Sequence, residues 1–236
     1  MSAPHRVLDL AAGPDYGAAF ARWRGAAAEW APYTRHAFVE GLRDGSLPRA
    51  AFLHYLRQDY VFLVHFSRAW ALAVAKAETL EEMTACAGTV HALLHHEMAL
   101  HVGICAEAGI DKAALEATQE SAENLAYTRY VLEAGYSGGF LDLLAALAPC
   151  VMGYGEIGAR LTAEKTSEAY ADWIGTYGGD EYQTLCREVG AMIDGALARR
   201  FGPDFADAPG FAALGRRFET ATRLEVGFWN MGLRGA

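Results

Sequence analysis

Four groups of residues combine the types and spacing that chemistry needs. Cys150 follows Pro149 directly in the run LDLLAALAPCVMGYGEIGARL, residues 141–161, with Tyr154 one helical turn on and Glu156 beyond it. A thiol becomes a useful nucleophile only when charge, a dipole or a hydrogen bond stabilises its thiolate. Tyr154, at i,i+4, shares the face of Cys150 and can donate such a bond. Taken alone, a buried structural thiol is the commoner reading.

Asp59 is the second. It lies in Gln58-Asp59-Tyr60, on the same helical face as Tyr55, Phe62 and Phe66. A carboxylate on a core face needs a partner, because an unpaired buried charge is costly. Either Arg57 or Arg68 bridges it, or the aromatic lining and the acid together receive a flat, cationic or amine-bearing ligand. The third is Glu225, in RLEVGFWNM beside Leu224, Phe228 and Trp229. Burial would raise its pKa and suit it to proton donation, although spacing alone favours an exposed acid on a polar face. The fourth is His91, His95, His96, Glu97 and His101. The pairs His91/His95 and Glu97/His101 have the i,i+4 spacing of helical chelates. The order of His96, Glu97 and His101 does not fit HExxH, and a di-iron bundle needs a second furnished helix. The cluster therefore reads as core, capping and surface histidines, with no metal site.

The elements that must position these groups are helical throughout. Residues 1–14 read as a loose leader ending at Gly13-Pro14, and residues 15–236 as a single domain. A first helix is expected over 15–30 and a short one over 36–43, then a break with Ser46 as N-cap and Pro48 in the first turn. Residues 49–78 repeat apolar positions at three- and four-residue steps, a helix of roughly 45 Å. Thr79 and Glu82 have capping-box spacing and open a helix that runs to Gly109. Further helices are expected over 118–134, 141–161, 166–177, 180–201 and 211–231, with a short one over 111–117. Pro149 predicts a kink before Cys150, and Gly153 and Gly155 are expected to leave room beside it for a flat ring. No alternating strand and no internal repeat is present, so the fold class is all-α: a single-domain multi-helix bundle.

Composition excludes several function classes. Of 236 residues, 53% are hydrophobic and 21% charged, a globular balance. A net charge of −9 argues against a nucleic-acid surface. No uncharged apolar run is long enough to span a bilayer, and the N-terminus lacks the pattern of a secretory signal. The four cysteines have wide spacings and no CxxC, which points to reduced thiols in a cytoplasm.

Read together, the segments resemble the TenA family of thiaminase II or aminopyrimidine aminohydrolase enzymes. The resemblance runs in order through LRDGSLPRAAFLHYLRQDYVFL, HHEMALH, AYTRYVL, APCVMGYGEIG, WIGTYGGDEY and RLEVGFWNM. It implies a heme-oxygenase-like fold, a homotetramer, and catalysis without haem, metal or other cofactor. By position it makes Cys150 the nucleophile, Asp59 the acid that holds the pyrimidine's amino group and ring nitrogen, and Glu225 the acid that exchanges protons. It makes Tyr127, Tyr154 and Tyr177 the tyrosines lining a substrate pocket. Phe62 stands where the family usually has a tyrosine, so one ring contact survives and one hydroxyl is lost. The implied reaction is hydrolysis of 4-amino-5-aminomethyl-2-methylpyrimidine, with thiamin as a second substrate, to the hydroxymethyl pyrimidine of thiamin salvage. The alternatives are a non-catalytic pyrimidine- or thiamin-binding or regulatory protein on the same fold, and a metal-dependent oxidase using the histidine cluster.

Overall fold

The computed structural model describes residues 13–235. The expected leader over 1–14 lies outside them except for its Gly13-Pro14 end. Among the described residues there are twelve α-helical segments and no strand.

The expected helix over 15–30 is shorter, α1 (Ala18–Ala26), with Ala27 extended after it, and a separate α2 (Trp30–Thr34) carries Pro32. Pro32 sits in the first turn of α2. Proline is well tolerated in a first turn, where its missing N–H has no partner to lose. In α3 (Ala37–Asp44) His36 is the N-cap, and its Nδ1 accepts the Phe38 N–H at 3.2 Å. α4 (Arg49–Lys76) starts behind Pro48, which takes the N-cap position expected of Ser46; the Ser46 N–H instead donates to Asp44 Oδ1 at 2.9 Å. With 28 residues, α4 crosses the bundle over roughly 42 Å.

α5 (Leu80–Ala92) begins with the expected capping box of Thr79 and Glu82. The expected continuous helix to Gly109 is interrupted by a π-turn, Leu93–Glu97, before α6 (Met98–Glu107). α7 (Lys112–Glu116) is short, and α8 (Ala122–Ser137) is capped by Ser121. α9 (Phe140–Ala163) is the central helix, packed against α8 and three later segments: α10 (Ala171–Gly178), α11 (Asp180–Phe201) and α12 (Pro209–Leu233).

α9 is the one described helix whose length and composition suit a membrane span, yet 83% of that apolar window is buried inside the bundle. Leu143, Leu144, Leu147 and Leu161 are buried there, each adding roughly 1.5–3 kcal/mol of apolar burial. The helix runs on through Pro149, and the Pro149 carbonyl accepts the Tyr33 hydroxyl at 3.2 Å.

The glycines of α9 serve protein packing. A Cβ on Gly153 would sit 2.2 Å from Tyr33 Cε1, and one on Gly155 would sit 2.5 Å from Cys186 Sγ. The space expected for a flat ligand ring is thus filled by Tyr33 and by Cys186 with Tyr16. Gly158 and Gly178 let two backbones meet: a Cβ on Gly158 would lie 2.3 Å from the Tyr177 carbonyl carbon. That contact seats Tyr177 of α10 against α9, one turn past Tyr154.

Candidate active site

The site is built where α4, α9, α10 and α12 face one another. Asp59 is buried on the inner face of α4 and accepts the Tyr55 hydroxyl at 3.2 Å. His101 Nδ1 lies 3.2 Å from Asp59 Oδ2, but neither His101 nitrogen has an aligned hydrogen-bond partner. Neither Arg57 nor Arg68 bridges Asp59; Arg68 Nη1 meets His65 Nδ1 at 3.2 Å instead. The Tyr55 hydroxyl also accepts the Trp173 indole N–H at 3.4 Å and lies 3.5 Å from the Tyr154 hydroxyl. Tyr154 in turn packs on Tyr177 with ring centroids 5.0 Å apart. One continuous aromatic wall joins α4, α9 and α10.

Glu225 is 1% exposed, which overturns the surface acid that spacing alone favoured. It accepts the Tyr127 hydroxyl at 2.7 Å. Tyr127 stacks obliquely on Phe62, centroids 5.0 Å apart, and Phe62 touches Phe66 and Phe228.

Cys150 keeps part of its surface toward a cleft of about 950 Å³, although it sits deep beneath neighbouring atoms. Glu97, Tyr182, Phe66, Leu93 and Val189 are also in that wall. The volume is near the upper end of the roughly 300–1,000 Å³ common for small-molecule pockets. Glu97 accepts the Tyr177 hydroxyl at 2.8 Å, so the cleft wall and the aromatic wall are joined through this bond. Asp59, Glu225, Phe62, Tyr127, Tyr154 and Tyr177 form the layer behind the cleft.

The electrostatics arise from crowding acids where water is scarce. Burial raises Glu225 to about 8, and the Tyr127 and Tyr33 hydroxyls offset part of the rise. Burial raises Glu97 to about 7 against the opposing Tyr177 bond. Asp59 is pushed well above the usual carboxylate range by burial and then by Glu97. Burial, followed by Glu225, Glu97 and Asp59 in that order, pushes the Cys150 thiol well up. His101 is lowered to about 4 by burial, which keeps it neutral near pH 7. The resting thiol is therefore protonated, and its activation requires a carboxylate to take the proton.

All seven residues singled out in the sequence converge here. Tyr55, His101, Glu97, Tyr33, Trp173 and Tyr182 join them unassigned. The i,i+4 spacing of Glu97 and His101 is the sequence signal that pairs them on one inward face. Among the described residues no three His, Cys, Asp or Glu side chains are arranged to hold a metal ion. His91, His95 and His96 are exposed, and only Glu97 and His101 turn inward.

The sequence profile of the TENA/THI-4/PQQC family matches residues 23–235. The chain belongs to that family. It is 40% identical over 207 residues to an uncharacterized protein of Haemophilus influenzae, covering 86% of this chain and 93% of the relative. It is 35% identical over 210 residues to the aminopyrimidine aminohydrolase of Halalkalibacterium halodurans, covering 86% and 89%. A crystal structure from a Silicibacter species, described as a TenA family transcription regulator, superposes with a TM-score of 0.91. Its sequence is 66% identical, over 92% of this chain and 97% of that one. In this TENA/THI-4/PQQC member the half-buried thiol shares its cleft wall with an acid that tyrosine alone supports.

Proposed function

We propose that the protein is an aminopyrimidine aminohydrolase of the thiaminase II type, a hydrolase of C–N bonds in thiamin salvage. The observation that carries this reading is one thiol among three carboxyl groups, Asp59, Glu97 and Glu225, none of which has an arginine or lysine partner among the described residues. Three buried acids without cations are costly to fold, and proton traffic around a nucleophile gives them a use.

In the mechanism we favour, Glu225, whose value of about 8 leaves a fraction of it ionised near pH 7, takes the thiol proton. Sγ then adds to an electron-poor carbon of the pyrimidine. Asp59, held protonated by burial, gives its hydrogen to the ring nitrogen that gains electron density. Tyr154 and Tyr177 line the ring, and Tyr127 orients Glu225. The exocyclic C–N bond breaks, water adds to the methylene carbon, and the ring expels the thiol as it regains aromaticity. Residues 15–236 as one heme-oxygenase-like domain, a homotetrameric assembly, a cytoplasmic location and catalysis without a cofactor belong to the same proposal.

A second reading, a regulatory or pyrimidine-binding protein, has Phe62 and the name of the Silicibacter relative in its favour. The net charge of −9 opposes binding to nucleic-acid phosphates. Rates on aminomethyl pyrimidine, its formyl derivative and thiamin decide between the two. Hydrolysis of any of them that is lost in Cys150→Ala supports the enzyme. Binding without turnover of all three supports the alternative.

A further inference from the structure

The two glutamates of the site differ in where they stand, and this bears on the one proton transfer the mechanism leaves unassigned. Glu225 is enclosed behind the cleft, its Oε1 taken by the Tyr127 hydroxyl. Glu97 is in the cleft wall with Cys150, its Oε1 taken by the Tyr177 hydroxyl. The π-turn places it there. An extra residue in a helical turn rotates the residues beyond it by about 100°, and Glu97 ends the turn facing inward while His95 and His96 stay exposed. Among the described residues Glu97 makes no ion pair, unlike Glu82, which arginines Arg199 and Arg200 neutralise. The other acids of the cleft, including Glu181 at its mouth with 94% of its side chain exposed, stand at the rim.

A group leaving the pyrimidine's methylene has to depart through open space, and the cleft supplies it. We infer that Glu97 is the acid that hands a proton to the departing amine, and that the Tyr177 hydroxyl aims it. The inference rests on the aminohydrolase reading above. In the step itself, after Sγ has added, the ring's electrons expel the amine and the C–N bond breaks with its pair going to nitrogen. Nitrogen takes the proton from Glu97, leaving a carboxylate. Water then bonds to the methylene carbon and gives one proton to that carboxylate, which restores the acid, and the ring returns its electrons as the C–S bond breaks. A group near neutrality can both give and receive in one cycle, and burial holds Glu97 at about 7.

The distinguishing consequence lies in the leaving group. An uncharged amine needs a proton in order to leave, whereas the thiazolium of thiamin leaves as neutral thiazole without one. The experiment compares kcat/KM on aminomethyl pyrimidine and on thiamin in the unaltered chain and in Glu97→Gln. The amine rate is expected to fall by ~10²–10⁴-fold. The thiamin rate, which loses only the help given to water, is expected to fall at least ~10-fold less. Equal losses on both substrates, or no loss on the amine, overturn the assignment. Should Glu97→Gln fail to fold, Glu97→Asp, which keeps the carboxyl but draws it back from the amine, decides in the same way. Its loss is expected to be larger on the amine than on thiamin if the assignment holds, and equal on both if it does not. An unaltered chain that hydrolyses neither compound overturns the aminohydrolase reading together with this one. Hydrolysis of both with equal losses in Glu97→Gln overturns the assignment of Glu97 alone.

Discussion

Two corners of α9 treat an acid in opposite ways. Six residues past Cys150, the half-buried Glu156 accepts from Arg24 Nε and Nη2, each at 2.7 Å, and from the Trp30 indole at 3.1 Å. At the other corner Glu225 and Glu97 each receive one tyrosine hydroxyl, at 2.7 and 2.8 Å, and neither has a guanidinium. An arginine fork, with the Trp30 indole beside it, ties α1, α2 and α9 together. A tyrosine orients a carboxyl group but leaves it free to change protonation state. Full burial without a cation raises Glu225 and Glu97, whereas the half-buried Glu156 has a guanidinium to hold it; burial and partner together separate architecture from chemistry.

The sharpest way to break this comparison is to remove the thiol that the tyrosine-supported acids surround. Cys150→Ala is expected to lower hydrolysis of aminomethyl pyrimidine by at least ~10³-fold while the melting temperature changes little. A variant that keeps its rate would mean that these acids serve some other group. Next in size, Glu225→Gln is expected to cost ~10²–10⁴-fold in kcat, as loss of a general acid-base group does, and yet to make the protein more stable at pH 8. Chemical denaturation and turnover on the same preparation would reveal the two opposite signs. Glu156→Gln should do the reverse. It is expected to cost ~1–3 kcal/mol of stability by stranding Arg24 and to leave kcat within ~3-fold of the parent.

A smaller effect comes from pH. Glu225 and Glu97 have folded-state values of about 8 and about 7, above the usual carboxylate range in the unfolded chain. The folded state therefore holds more protons, and stability falls as pH rises through those values. His101, lowered to about 4, acts oppositely, adding stability as pH rises from about 4 to about 6.5. Above about pH 7.5 the histidines of the unfolded chain are largely neutral too, and there urea denaturation is expected to show stability decreasing by up to ~1.4 kcal/mol per pH unit for each of the two carboxyl groups. A flat profile there would show that the two corners do not differ in kind. The smallest change expected is Phe62→Tyr, which adds a hydroxyl beside the Tyr127–Glu225 pair and should alter kcat by less than ~10-fold. An equal change on the amine and on thiamin would place that hydroxyl on the shared pyrimidine.

Much of the fold was legible in the residues. The helical repeat of residues 49–78 and the Thr79–Glu82 box depend on local geometry and appear in the structure with ends within two residues. The end of the first helix at Ala26 was not legible, because Phe20, Trp23 and Ala27 keep helical spacing across it. The π-turn at Leu93–Glu97 was not legible, because a straight helix and a helix with one extra residue share the same composition. Its effect on the site was large: it separated Glu97 and His101 from the exposed histidines beside them. The packing of Tyr33 over Gly153 was hidden as well, since a glycine in sequence shows that room exists and not what fills it.

The sequence by itself determined the all-α class, the register of the long helices and a set of reactive residue types spread from Asp59 to Glu225. Helical periodicity and capping act between neighbours a few residues apart, so they can be read along the chain. The tertiary structure alone decided which acids are pushed above the usual carboxylate range. That depends on which distant helices bury them and whether a guanidinium comes with the burial; Glu225 is enclosed with only hydroxyls beside it. A pKa is a property of surroundings in space, and no spacing in the sequence specifies them.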